Sequence, residues 1–126
     1  MGSMVSVLIV DDDEGFRRLA VRVLAASGFD VVGEAGTCAA AVSAARHCRP
    51  ATALVDVNLP DGDGIGLSRV LAALPWAPRV VLISGDADAG RAARIARTGA
   101  VGFLTKDELA DGRLIELLGS ERDLDA

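Results

Sequence analysis

The chain has 126 residues, 51% of them apolar but only 3% aromatic, and 18 acidic against 13 basic side chains leave it a net charge of −5. That length suits one domain, which buries about two-thirds of the surface its unfolded chain exposes and needs no disulfide staples. The acidic balance argues against a duplex-binding module, and no apolar run is long enough to span a membrane.

Residues 1–3 read as a cloning scar before a start at Met4, with no charged and apolar leader, so a reducing, cytoplasmic setting is expected. The first predicted strand covers 5–10. Phe16, Leu19, Ala20, Val23 and Leu24 then follow helical spacing, with Gly28 placed to stop that helix. A strand over 31–35 leads to a second helix capped by Thr37. Cys38 and Cys48 lie on that helix about 15 Å apart, too far for a disulfide, and are expected as reduced, buried thiols. His47, near its end, reads as a surface or dipole-compensating residue. After a strand over 51–55, Leu67, Val70, Leu71 and Leu74 mark a third helix, and Pro75 and Pro78 bracket a turn. A strand over 79–83, an Ala-rich helix over 88–98 closed by Gly99, a strand over 101–104 and a helix carrying Ala110, Leu114, Leu117 and Leu118 complete the pattern. Three of the strand runs are almost continuously apolar, as parallel strands covered on both faces are. Five β-α units in one domain over 4–119, followed by a polar tail at 120–126, predict an α/β fold: a doubly wound parallel sheet with right-handed crossovers.

Ligands of such sheets bind beyond the carboxyl ends of the strands, and there this sequence is strongly acidic. Asp11, Asp12, Asp13 and Glu14 follow the first strand, Asp56, Asp61 and Asp63 the third, Asp86 and Asp88 the fourth, and Asp107 and Glu108 the fifth. These are eleven of the eighteen carboxylates, with Lys106 the single base among them. Asp13, Asp61, Asp63, Asp88 and Asp107 read as helix caps or turn formers. One cap cannot explain the adjacent pair Asp11 and Asp12. Crowded carboxylates repel one another, and a hard divalent cation that prefers oxygen ligands would offset the repulsion.

Four segments at four strand ends now carry a resemblance: Val7-Leu8-Ile9-Val10-Asp11-Asp12, Asp56-Val57-Asn58-Leu59-Pro60-Asp61-Gly62-Asp63-Gly64, Val81-Leu82-Ile83-Ser84-Gly85, and Gly99-Ala100-Val101-Gly102-Phe103-Leu104-Thr105-Lys106. In this order the chain resembles the receiver domain of bacterial two-component response regulators from Val5 to Leu118. The resemblance implies a flavodoxin-like (βα)5 sheet ordered 2-1-3-4-5, a fold for which a receiver is the standing example. It implies phosphorylation of Asp56 by a sensor histidine kinase or phosphotransfer protein, with Mg²⁺ (or Mn²⁺) held by Asp11, Asp12, Asp56 and the backbone carbonyl of Asn58. Lys106, the Ser84 hydroxyl and the Gly85 backbone N–H would contact the phosphoryl group. Ser84 and Phe103 would form the switch, and the Asn58 and Asp86 side chains would tune dephosphorylation by reaching the attacking water. The output would be a downstream effector protein or domain, with no direct membrane or nucleic-acid contact. Arg91, Arg94 and Arg97, at helical spacing, read either as a solvated face or as the basic part of a signalling face through which the phosphorylated chain would form a homodimer.

The chain departs from the family in three places. Asp107 stands where many receivers have a proline with a cis bond, Gly85 replaces a common alanine, and Phe103 lacks the hydroxyl often found on that ring. Two other readings compete. A haloacid-dehalogenase-type phosphohydrolase needs a second Asp two residues after the nucleophile, where this chain has Asn58. A phosphorylation-independent binding module would not need Asp11, Asp12, Asp56, Ser84 and Lys106 together.

Overall fold

Apolar runs this continuous are stable only where both faces of a strand are covered. The computed structural model describes residues 5–85 and 100–111. In chain order the elements are β1 (Ser6–Val10), α1 (Glu14–Ala26), β2 (Asp30–Ala35), α2 (Cys38–Cys48), β3 (Thr52–Asp56), β4 (Asn58–Leu59), β5 (Gly62–Asp63), α3 (Gly64–Ala72), β6 (Arg79–Ser84), β7 (Gly102–Thr105) and α4 (Lys106–Ala110). Five strands form one sheet in the order β2-β1-β3-β6-β7, each neighbouring pair parallel. Renumbered within that sheet, this is the 2-1-3-4-5 order.

Strand alternation divides the core into two layers. Val7, Ile9, Leu54, Val81, Ile83 and Leu104 meet Phe16, Ala20 and Leu24 of α1 together with Phe29 and Leu109. Leu8, Val10, Ala53, Val55, Val80 and Leu82 meet Ala41 and Ala45 of α2 and Leu67 and Leu71 of α3. No helix among the described residues is long and apolar enough to cross a membrane.

Several expectations change in detail. The buried stripe of α1 is the single i, i+4 row Phe16, Ala20 and Leu24, and that of α3 is Gly64, Leu67, Ser68 and Leu71; Leu19 and Val70 sit outside them at 38% and 48% exposure. Cys38 and Cys48 are free but only half-buried, because they occupy the two ends of α2. Gly28 stands one residue past the C-cap of α1 with φ of 91°, a conformation that favours glycine. The short antiparallel pair β4 and β5 was not expected, although Leu59-Pro60-Asp61-Gly62 is a turn signature. The last helix begins earlier than its apolar pattern suggests, at Lys106, because Thr105 and Glu108 form a capping box. No peptide bond among the described residues is cis, that between Lys106 and Asp107 included. The helix expected over 88–98 with its three arginines, Asp86, the helix positions from 114 onwards, residues 1–3 and the tail at 120–126 lie outside the described residues.

Candidate functional site

The alternation that sends Val7 and Ile9 to the α1 side of the sheet carries on to Asp11, and Leu54 leads to Asp56 in the same way. Both carboxylates therefore emerge on one side, from adjacent strands. Asp11 is fully buried and Asp56 nearly so, whereas Asp12 is exposed. One carboxylate oxygen from each of the three lies within 4.8 Å of the others, the only such trio among the described residues.

Lys106 reaches this trio from the end of β7. Its Nζ lies 2.9 Å from Asp11 Oδ2 and 3.4 Å from Asp56 Oδ2, with the side chain one-quarter exposed at 25%. The remaining oxygens have local donors: the Asp13 N–H donates to Asp11 Oδ1 at 2.8 Å and the Asn58 N–H to Asp56 Oδ1 at 3.0 Å. Asp11 Oδ2 is buried and has no aligned hydrogen-bond donor, the lysine acting on it as a charge. An oxygen left in that state, beside two further carboxylates, is a donor set that suits a hard divalent cation.

The other predicted site residues surround this point. Ser84 ends β6 fully buried, paired in register with Thr105. Gly85 follows, and no atom of the described residues lies within 4 Å of where a Cβ would stand. Asn58 is exposed in β4, and Phe103 is half-buried against the α2–α3 layer. Two of the suspected caps open their own helices, Asp13 accepting from the Phe16 N–H and Asp63 from the Gly66 N–H; Asp61 instead accepts from the Cys38 and Ala39 N–H groups at 2.7 and 3.1 Å, in the first turn of α2, whose N-cap is Thr37. Those last bonds, from donors beside it, hold Asp61 below the usual carboxylate range.

Three features escaped the sequence reading. Arg17 donates to the Asp11 backbone carbonyl and, at 3.2 Å, to Glu34 Oε1, tying the acidic loop to α1 and β2. Gly64 opens α3 directly against the Asp56 and Val57 backbone. Phe16 places its ring 4.6 Å from Lys106 Nζ. One signal was available: Lys106 is the only lysine among thirteen basic residues.

Burial pushes the Asp56 carboxyl above its ordinary value and the Asp11 charge adds to this, against the pull of the Asn58 N–H and Lys106. Burial alone would lower the Lys106 pKa, but the Asp11 carboxylate beside it, with that of Asp56, overrides this and raises the value. Folding thus makes Asp56 hold its proton to higher pH than the unfolded chain does. Stability is then lost as pH rises from the ordinary Asp value of about 3.9 through the raised one. Without divalent cations, Asp56→Asn is expected to have a higher urea midpoint than the parent at neutral pH, the two converging below about pH 3. Equal midpoints throughout would show that ionised Asp56 carries no such penalty.

Known proteins share this sequence pattern and fold. Residues 7–118 match the family model of the response regulator receiver domain. The DNA-binding transcriptional activator DevR/DosR of Mycobacterium tuberculosis is 41% identical over 96% of this chain and 57% of its own length. A protein-glutamate methylesterase/protein-glutamine glutaminase of Anaeromyxobacter dehalogenans is 38% identical over 81% of this chain and 30% of its own. The chain therefore spans about half the length, or less, of these curated relatives. The solved receiver domain of the response regulator NarL from Mycobacterium tuberculosis superposes with a TM-score of 0.78 at 32% identity, covering 94% of this chain and 99% of that one. Phosphorylation on Asp is typical of this family, and its members bind Mg²⁺ in an acidic pocket and interact with histidine kinases or phosphotransfer proteins. With the sheet order, the acidic trio and the family match in agreement over almost its whole length, this chain belongs to the response regulator receiver domains.

Proposed function

We propose that Asp56 accepts a phosphoryl group from a sensor histidine kinase or phosphotransfer protein in the cytoplasm, in a Mg²⁺- or Mn²⁺-dependent reaction, and that a downstream effector protein or domain reads the result. The observation that carries this is the convergence of Asp11, Asp12, Asp56 and Lys106 on one point at the strand ends. An Asp56 oxygen attacks phosphorus as the bond from phosphorus to the donor breaks, its electron pair leaving with the donor; the product is an acyl phosphate. Charge on the phosphoryl oxygens is the obstacle, and positioned positive charge removes it. Lys106 already stands 3.4 Å from an Asp56 oxygen, close enough to pair with a phosphoryl oxygen there. The Ser84 hydroxyl and the Gly85 N–H are the further donors. Asp11, Asp12, Asp56 and the Asn58 carbonyl would hold the cation. When bound, Mg²⁺ supplies the positive charge that offsets carboxylate repulsion of the incoming group.

In this reading the chain is a phosphoacceptor that assists its own phosphorylation and dephosphorylation, not an enzyme acting on a separate substrate. Asn58, which is exposed, would tune dephosphorylation by acting on the attacking water. Ser84 and the half-buried Phe103 are the residues that rearrange, and a phosphorylation-dependent homodimer is one form the output can take. Treatment with acetyl phosphate and Mg²⁺ is expected to add one phosphoryl group to the intact mass. The gain should vanish with a chelator and in Asp56→Asn. A wild-type mass that never changes would overturn the reading.

A further inference from the structure

Lys106 is held by more than carboxylates. Its long stem is rich in rotamers that are lost when the head is fixed, so an ammonium group confined to one spot needs several attachments. Two are the carboxylates of Asp11 and Asp56, at 2.9 and 3.4 Å. The third is the ring of Phe16, whose centroid lies 4.6 Å from Nζ, within the range in which the negative face of an aromatic ring attracts a cation. Phe16 is itself fixed: it is buried, and its backbone N–H donates to the Asp13 cap at the start of α1. Lys106 opens a helix start that is also capped, through Thr105 and Glu108. Two capped helix starts thus press a ring and an ammonium group together beside the acidic trio.

We infer that Phe16 is a positioning residue for Lys106, its ring keeping the ammonium group at Asp56 while the carboxylate partners change. This rests on the function proposed above. When one Asp56 oxygen becomes bonded to phosphorus, Lys106 loses part of its carboxylate attraction; the ring offers no hydrogen bond and does not compete with the phosphoryl oxygens for the ammonium protons. An aliphatic residue would fill the same space without that attraction. The inference concerns the ring face and not the apolar volume, which separates it from a packing role.

The test uses the solitary lysine. In protein labelled with ¹³C at lysine, the one Cε methylene is expected upfield of its free value through the ring current of Phe16, and back at the free value in Phe16→Leu. Phosphoryl uptake from acetyl phosphate is expected to slow about fivefold in Phe16→Leu and to recover in Phe16→Tyr and Phe16→Trp. An unshifted Cε signal in the wild-type protein overturns the inference even if no variant folds. So does a Leu variant as fast as the parent, or Tyr and Trp variants as slow as Leu. A wild-type protein that takes up no phosphoryl group, with the Cε signal shifted, would refute the proposed function instead, leaving the ring contact in place.

Discussion

Lys106→Met is expected to lower stability by about 3 kcal/mol without divalent cations and to slow phosphoryl uptake about 100-fold. The stability loss follows from what stays behind. Asp11 is fully buried, the Asp56 side chain is 7% exposed, and the lysine is the ion-pair partner both share. Breaking a buried ion pair strands the other charge at about 3–5 kcal/mol; the lower end applies because water reaches one-quarter of the lysine side chain. Asp11→Asn in the same background should then return part of the loss, since it removes one of the stranded charges. Unfolding in urea, followed through the single tryptophan, Trp76, reads the parent and both variants. A Lys106→Met midpoint equal to that of the parent would show that the lysine carries no structural load.

Gly64→Ala is expected to cost about 3 kcal/mol, at the upper end of ordinary overpacking, although glycine to alanine inside a helix normally gains stability. A Cβ at this position would stand 2.8 Å from the Asp56 carbonyl carbon and 2.9 Å from Val57 Cα, and closer still to the Asp56 carbonyl oxygen. These are backbone atoms and cannot rotate away. The Gly64 N–H also donates to the Val57 carbonyl at 2.9 Å, so the start of α3 and the end of β3 must separate together. Asp56 would move with them, and the rate of phosphoryl uptake should fall along with the unfolding midpoint. Gly66→Ala is the comparison: its Cβ would meet only the Asp63 side chain, at 3.3 Å. Similar small losses in both variants would contradict the close-approach explanation.

The parts of this molecule visible in its sequence are those set by local or repeating patterns. Val7 to Val10 and Val80 to Ile83 are apolar without interruption because both sheet faces are covered, and that alone gives the parallel sheet. Asp11, Asp56 and Lys106 could be singled out because ligand sites of parallel sheets lie past the strand ends, so position along the chain stood in for position in space. What escaped depends on distances between segments far apart in sequence. Phe16 fits a helical core stripe, and nothing near it signals a lysine ninety residues later. Arg17 looks like any surface arginine until β2 brings Glu34 beside it. Leu19 and Val70 satisfy the helical pattern but fall at the edge of the stripe, outside the residues that are buried. The start of α4 was legible in Thr105 and Glu108, and was obscured by the apolar spacing further along.

Borohydride reduction after phosphodonor treatment, followed by peptide mapping, reads the acceptor directly, because it converts an aspartyl phosphate to homoserine. Homoserine is expected at position 56 and at none of the chain's other acidic residues, in an amount that depends on the divalent cation. Homoserine at position 11 or 12, or its absence from a protein with intact fold and bound Mg²⁺, would contradict the assignment of Asp56 as the group that Lys106 and its acidic neighbours serve.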